Sequence, residues 1–268
     1  MDYFTAELQN MKYVISKNVD GFFTSINDIA VFILRFFKEA FKPPFEFGEI
    51  VRQSYQVGYR SLALISMTGF ITGFVFTKQS RPSLAEFGAT SWLPSLVAIA
   101  IIRALAPLVT ALICAGKVGS GIGAELGSMK VTEQIDAIEV SGVNSFKFLV
   151  VTRVWATTLM IPLLMCYTGF MALMGAFLDI TMTEQTSFSI FLTNAFSKIT
   201  FLDFTSSVIR SIVFGFTIGI VGSYQGYNTS QGTQGVGKAA NMSVVISMFL
   251  IFIEEILIVQ IVNYIRVS

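Results

Sequence analysis

The sequence contains no histidine, only two cysteines and few charged residues among its 268 positions. Histidine is the side chain used most often as a general base and as a metal ligand, so its absence argues against an enzyme or a metal centre. The cysteines, Cys114 and Cys166, both lie in apolar segments, which favours small hydrophobic side chains over a disulfide or a metal site. We therefore predict no catalytic residue and no bound metal.

Charged residues make up 13% of the sequence, whereas soluble domains carry roughly 25%. Hydrophobic residues make up 53%, including 26 phenylalanines, and the mean hydropathy is +0.69. The formal net charge is +1, so no overall positive field would attract nucleic acid. Residues 1–20 mix charged and apolar side chains, unlike a cleavable secretory signal. This composition indicates a membrane protein.

Five apolar stretches are long enough to cross a bilayer, which requires about 20 residues in a helix. The third is longer than one crossing needs and contains Pro162, where it is expected to tilt, kink or extend into water. The fold class predicted is therefore an all-α membrane protein with five transmembrane helices. The predicted spans are Val57–Thr77, Trp92–Ala115, Phe148–Leu178, Ser207–Tyr224 and Ser243–Ile265.

An earlier apolar stretch, residues 21–41, has a different pattern. Its apolar residues recur at helical spacing and its polar residues collect toward the other side, which predicts an amphipathic helix lying in the membrane interface. The alternative is an ordinary amphipathic helix packed on a partner. Lys42–Pro44 should end this helix, so we divide the chain into an N-terminal segment, 1–48, and a membrane-spanning domain, 49–268. The apolar positions are Phe22, Phe23, Ile26, Ile29, Ala30, Ile33, Phe36, Phe37 and Ala40.

Lysine and arginine are more frequent before the first span and between the second and third than in the other connections. Because positive charges are retained in the cytoplasm, the N-terminus is expected there. An odd number of spans then places the C-terminus outside.

The segment Ser230–Asn241 resembles part of a phosphate-binding loop, with Gly232 followed after four residues by Gly237 and Lys238. A phosphate-binding loop joins a buried strand to a helix, and Ser or Thr follows its lysine. Here Ala239 follows the lysine and a predicted membrane span precedes the segment. We therefore predict a tight turn between the fourth and fifth spans rather than an ATP site.

The polar connection between the second and third spans contains a short predicted helix. Thr132 is a suitable N-cap, Glu133 would lie in the first turn, and Gly142 fits the helix end. Three carboxylates at intervals of three residues, Glu133, Asp136 and Glu139, predict an acidic ridge along this helix. The ridge is interpreted either as a docking surface for a soluble partner or as a merely solvated face.

The core of this connection, "AELGSMKVTEQIDAIEVSGV" followed by "FLVVTR", closely resembles the MlaE (YrbE) family of permease subunits. These belong to ATP-binding-cassette systems that move lipids with mammalian-cell-entry (MCE) domain proteins, and the likeness extends from about Glu49 to the C-terminus. It implies a homodimer in the bacterial inner membrane, with two soluble ATPase subunits, an MCE ring outside and a lipid pocket at the dimer centre. No cofactor is expected on this chain, because ATP would bind the partner. The ATPase-coupling residues expected from the likeness and the acidic ridge are Glu125, Thr132, Glu133, Gln134, Asp136 and Glu139.

Three charged residues lie near the middle of predicted spans: Arg103 in the second, and Glu254 and Glu255 in the fifth. An isolated charge in the bilayer costs about 2.5–3.5 kcal/mol on insertion scales, so such residues normally face a partner or a cavity. Their apparent similar depth predicts that Arg103 pairs with one glutamate. The pair is interpreted either as part of a lipid headgroup pocket or as a structural ion pair.

We therefore expect the permease subunit of an ATP-driven transporter, moving phospholipid between the inner membrane and an MCE protein. Two alternatives remain open. One is an ion-gradient-driven secondary transporter or channel for an amphiphile, using the three intramembrane charges. The other is a membrane scaffold that only anchors the MCE protein. Small-residue pairs, Gly69 with Gly73 and Gly215 with Gly219, are expected to permit close helix packing.

Overall fold

The computed structural model describes residues 27–267, apart from Gln185 and Gln231. Within these residues the chain is helical with no β-strand, so the predicted all-α fold is confirmed. The chain divides between Phe45 and Glu46 into two units. In the first, helix α1 covers residues 27–40 and ends just before Lys42–Pro44, as expected. Phe22, Phe23 and Ile26 lie outside the described residues, and the interfacial position of α1 stays a prediction.

The second unit contains five helices long and apolar enough to span a membrane, counted over the residues that are described. Each predicted span falls within one of them, which confirms a multi-pass membrane protein. The second of these membrane helices is made of α3, α4 and α5 in succession, and two short helices, α6 and α8, lie between the spans. The α-helices described in this unit are α2 (Phe47–Glu86), α3 (Leu93–Ala100), α4 (Ala106–Cys114), α5 (Ser120–Val131), α6 (Gln134–Val140), α7 (Thr152–Glu184), α8 (Phe188–Phe196), α9 (Phe201–Tyr227) and α10 (Thr233–Val267).

Several helices are longer than the predicted spans. Helix α2 has 40 residues, or about 60 Å at the α-helical rise, which is twice the thickness of the hydrocarbon layer. The second membrane helix runs from Thr90 to Val131 instead of ending near Ala115. The predicted boundaries were too short because they followed hydropathy, whereas a helix continues through polar residues until a residue breaks it. Pro162 lies inside α7 without ending it.

The second membrane helix is continuous but contains two π-helical turns, Ile101–Leu105 between α3 and α4 and Ala115–Gly119 between α4 and α5. A π-turn leaves backbone carbonyls outside the regular ladder, and α9 supplies donors to two of them. The Ser207 hydroxyl donates to the carbonyl of Ile102 at 2.6 Å, and a guanidinium nitrogen of Arg210 donates to the carbonyl of Arg103 at 2.6 Å. The first π-turn is thus held against α9.

Glycines allow the long helices to approach closely within the chain. On α2, an added Cβ at Gly69 or Gly73 would meet backbone atoms of α7 at 3.1 and 1.8 Å. On α9, an added Cβ at Gly215 would lie 2.7 Å from the carbonyl of Thr157 on α7, and one at Gly219 would lie 2.9 Å from Val154. The expected packing role of these small-residue pairs is therefore confirmed. Helix α5 packs separately, against α9 and α10.

A short connection joins α9 to α10, so a turn lies between the fourth and fifth spans as predicted, but Thr233–Asn241 of the predicted turn segment belongs to α10. The backbone of Gly232 has a φ of +100°, a conformation that glycine adopts without strain, and α10 begins at the next residue. Gly237 and Lys238 lie inside α10 rather than on a loop. This segment therefore does not have the strand–loop–helix arrangement of a phosphate-binding loop.

Candidate functional site

Helix α6 lies between the ends of two membrane helices, with α5 before it and the turn that leads into α7 after it. Its N-terminus differs from the prediction, because Thr132 is not the N-cap. Thr132 ends α5, where its hydroxyl donates to the carbonyl of Ser128 at 2.8 Å. Glu133 takes the N-cap position with a left-handed φ of +56°. The reason is that α5 and α6 follow one another almost without a spacer, so a single left-handed residue makes the turn.

The three carboxylates of the acidic ridge predicted along α6 are all exposed but differ in their contacts. Glu133, Gln134 and Asp136 are exposed, and Asp136 forms an exposed ion pair of 3.1 Å with Lys130. Ile135 is buried beneath them and anchors the helix. Gly142, with a φ of +80°, follows the end of the helix as predicted. At the start of α6, the carboxylates of Glu133 and Asp136 therefore face solvent, while the Ile135 side chain is buried in the protein.

Glu139, at the other end of α6, points instead toward α9. The buried hydroxyl of Ser145 donates to its carboxylate, and the Tyr227 hydroxyl lies 3.0 Å from the Ser145 hydroxyl and 3.4 Å from the same carboxylate. The Tyr227 ring also packs edge-on against Phe146, with centroids 5.8 Å apart. We call Glu139, Ser145 and Tyr227 the α6–α9 link. The sequence did not indicate this link because its members are up to 88 positions apart.

Replacing Tyr227 by phenylalanine is expected to loosen α6. The substitution keeps the ring against Phe146 but removes a hydrogen bond that contributes about 0.5–1.5 kcal/mol. Amide hydrogen exchange along α6 should accelerate by up to about tenfold, since each 1.4 kcal/mol is a factor of ten. Tyr167→Phe is the matched control, because the Tyr167 hydroxyl bonds Ser66 between α2 and α7 instead. Equal exchange in both variants would show that the link does not hold α6.

Glu125, another residue expected to couple the ATPase, lies within α5 rather than on α6. Its carboxylate forms an ion pair of 2.8 Å with Arg153 at the start of α7. Arg153 is buried and also donates to the carbonyl of Leu149 at 2.9 Å. Glu125 therefore connects the second and third membrane helices through this ion pair.

The intramembrane charges do not pair as the sequence predicted, since Arg103 contacts neither Glu254 nor Glu255. Its guanidinium approaches the carboxylate of Asp203, with Nε 2.7 Å from Oδ1 and a terminal nitrogen 2.9 Å from Oδ2. Asp203 is fully buried in the first turn of α9 and also accepts from Arg266. Its carboxylate completes a capping box with Thr200.

Glu255 pairs with Arg210 at 2.8 Å, while Glu254 accepts a hydrogen bond from Thr217 at 2.5 Å. Arg210 also donates to the backbone carbonyl of Arg103, so the Arg103 backbone lies close to Glu255, in agreement with the predicted similar depth. The predicted pairing was wrong because the Arg103 guanidinium extends instead toward Asp203, which lies about two turns before Arg210 on α9.

Comparison with known proteins identifies the chain. The family model described as Permease MlaE matches residues 50–261. A probable ABC transporter permease protein of Rickettsia bellii is 34% identical over 94% of this chain and 98% of its own length. A probable ABC transporter permease protein of Synechocystis is 34% identical over 76% of this chain and 78% of its own length. The chloroplastic protein TRIGALACTOSYLDIACYLGLYCEROL 1 of Arabidopsis thaliana is 32% identical over 76% of this chain and 59% of its own length.

These matches agree with the five membrane helices and with the resemblance found in the sequence. An ABC permease works with a separate ATPase, so the family implies such a partner for this chain. The chain belongs to the MlaE permease family and is a membrane subunit of the ABC transporter class.

Proposed function

We propose that this chain couples ATP hydrolysis on a soluble partner to the movement of phospholipid between the bacterial inner membrane and an MCE protein. Two copies would form the membrane part of the transporter. The N-terminus and α6 would face the cytoplasm, and the C-terminus would face the periplasm. No bond in the lipid is broken in this function.

The observation that supports ATPase coupling best is the placement of α6. The exposed residues at its start, Glu133, Gln134 and Asp136, are available to a soluble protein. Three internal contacts connect the same region to the membrane helices: the buried Ile135, the α6–α9 link, and the ion pair of Glu125 with Arg153. A force applied to α6 by a partner would therefore reach α5, α7 and α9 together.

The spans themselves favour a lipid as the transported molecule. The charged residues described within them form local contacts, such as Arg210 with Glu255 and Arg103 with Asp203, rather than a continuous polar path. Broad apolar surfaces on α2 and α10 suit acyl chains. One relative, the Arabidopsis protein, carries a diacylglycerol lipid in its name. These features support an amphiphile more than an ion or a sugar.

The proposal predicts that a double charge reversal, Glu133→Lys with Asp136→Lys, prevents capture of the ATPase. Opposed like charges at an interface cost several kcal/mol, so affinity should fall on the order of a hundredfold. The measurement is recovery of the ATPase with the tagged permease in mild detergent, followed by ATP-driven transfer of a fluorescent phospholipid from proteoliposomes.

Glu86→Lys is the control, because Glu86 is an exposed carboxylate at the opposite end of α2. Unchanged capture by the doubly reversed variant would contradict the role of α6. Lipid movement by the lone chain under an ion gradient would instead favour a secondary transporter.

A further inference from the structure

A cleft separates α2 from α5 on the α6 side of the bundle. Helix α2 packs mainly along α7, whereas α5 packs against α9 and α10. Between them lies a cavity of about 250 Å³, lined by α2 from Gln53 to Ser61 and by the second membrane helix from Lys117 to Glu125. A second cavity of about 450 Å³ shares Gln53 and Glu125 with the first and extends to Gln134 at the start of α6. We call the two cavities together the α2–α5 cleft.

Positive charge exceeds negative charge in the inner part of this cleft. The carboxylates that line it already have partners, Glu125 with Arg153 at 2.8 Å and Glu49 with Arg52 at 3.5 Å. Arg60 and Lys117 line the cleft, and neither forms an ion pair with any residue the structure describes. The Lys117 ammonium donates to the backbone carbonyl of Arg60, so these two basic residues are in contact at the wall of the cleft. Such a pair favours an anionic ligand.

Two buried polar atoms in the cleft also lack a protein partner. The Ser61 side chain lines the first cavity, is 1% exposed, and its hydroxyl forms no hydrogen bond in the structure. Arg153 lines the second cavity, is 3% exposed, and its Nε likewise has no partner. Burying a polar group without a partner is unfavourable, so native proteins usually provide one. A ligand oxygen in the cleft would supply it.

The depth of the cations corresponds to the headgroup layer of a bilayer. Arg60 lies three residues inside the apolar stretch Val57–Thr77, and Lys117 lies two residues beyond the stretch Trp92–Ala115. Both are therefore at the boundary of the hydrocarbon on the α6 side. Val57, Val118 and Ile122 provide apolar walls beside them. This combination of cations, amides and apolar walls fits an amphiphile better than a free ion.

We propose that the α2–α5 cleft binds the phosphate-bearing headgroup of a phospholipid drawn from the leaflet on the α6 side, with Arg60 and Lys117 contacting the phosphate. The proposal rests on the lipid transport proposed above and assigns to it a loading site. Because the cleft extends to Gln134, a bound headgroup would lie beside the start of α6. Lipid binding in the cleft would then alter the environment of the α6 surface that is proposed to contact the ATPase.

The test is photolabelling of the full-length permease in dodecyl maltoside, a detergent without phosphate, by phosphatidylglycerol carrying a diazirine near its headgroup. Labelled peptides should cover Gln53–Ser61 and Lys117–Glu125. Lys117→Gln should lower the labelling roughly tenfold, as expected for losing a charged hydrogen bond. Lys78→Gln, at the far end of α2, is the matched control and should label like the native chain.

Ser61→Ala provides a second variant that tests binding apart from folding. Because the buried Ser61 hydroxyl has no protein partner, its removal should maintain or raise thermal stability but reduce labelling. Labelling outside the cleft, or equal labelling of Lys117→Gln and Lys78→Gln, would overturn the proposal. Equal labelling by a water-soluble glycerophosphate probe that carries the diazirine but no acyl chains would also overturn it, by showing a free-anion site.

The experiment is independent of the transport proposal because it uses neither ATP nor the ATPase. If labelling fails while the complete transporter still moves lipid with ATP, the loading site is wrong and the function stands. If labelling succeeds but the complete transporter moves no lipid, the function is wrong and the binding site stands.

Discussion

Replacing Asp203 by alanine is expected to lower the free energy of unfolding by about 3–5 kcal/mol, the range for breaking a buried ion pair. The Asp203 carboxylate is fully buried and receives the guanidinium groups of Arg103 and Arg266. Without it, two positive charges would face each other near the ends of three membrane helices. The substitution also removes the capping box with Thr200, which adds about 1 kcal/mol.

Thermal or chemical unfolding in detergent micelles measures this effect. Asp136→Ala is the control, because the Asp136 carboxylate forms an exposed pair with Lys130 and such pairs contribute about 0–1 kcal/mol. Asp203→Asn separates the two contributions, since the amide oxygen still accepts from Thr200 while the charge is lost. If Asp203→Ala and Asp136→Ala unfold alike, the buried cluster does not stabilise the fold.

Replacing Gly73 by alanine is expected to separate α2 from α7 and to destabilise the protein by at least about 1–3 kcal/mol, the cost of overpacking. An added Cβ would lie 1.8 Å from the carbonyl oxygen of Ala172 and 2.5 Å from its carbonyl carbon. These are backbone atoms, so no side-chain rotation relieves the clash. The helices must move apart, which disturbs the most extensive helix–helix contact among the described residues.

Gly48→Ala tests the same chemical change on the same helix. An added Cβ at Gly48 meets no heavy atom within 4 Å, so only the helix propensity changes there. Alanine is favoured over glycine in a helix by about 1 kcal/mol, which predicts a neutral or slightly stabilised variant. The measurement is the melting temperature of both variants in the same detergent. Matching melting temperatures would mean that α2 and α7 are not packed as closely as the structure shows.

The number and type of the membrane-spanning helices followed from the sequence, because hydropathy and helical spacing are properties of neighbouring residues. Five apolar stretches predicted five spans, and each lies within a helix. Gly142 ends α6 as predicted, because a left-handed residue is needed there whatever surrounds it. The predicted helix ends were less accurate. Helix α2 begins ten residues before the predicted span, because Phe47–Gln56 is helical although it has no apolar pattern.

The candidate site was predicted only in part. The exposed acids at the start of α6 were found by their spacing, whereas the contacts of Glu125 and Glu139 with Arg153, Ser145 and Tyr227 were not. The partners come from other helices, and their rotation and height relative to α6 are fixed only when those helices pack. The local sequence pattern therefore predicted the exposed acidic surface of α6 but not the contacts that connect this region to the membrane helices.

The sequence by itself determined that this chain is a membrane protein, where it crosses the bilayer, and which short helix lies between the second and third spans. Only the tertiary structure decided which charges meet: Arg103 with Asp203, and Glu255 with Arg210. It also decided that a cleft with two cations opens between α2 and α5. The physical reason is that burial of apolar residues depends on composition along the chain, whereas an ion pair depends on the relative height and rotation of separate helices.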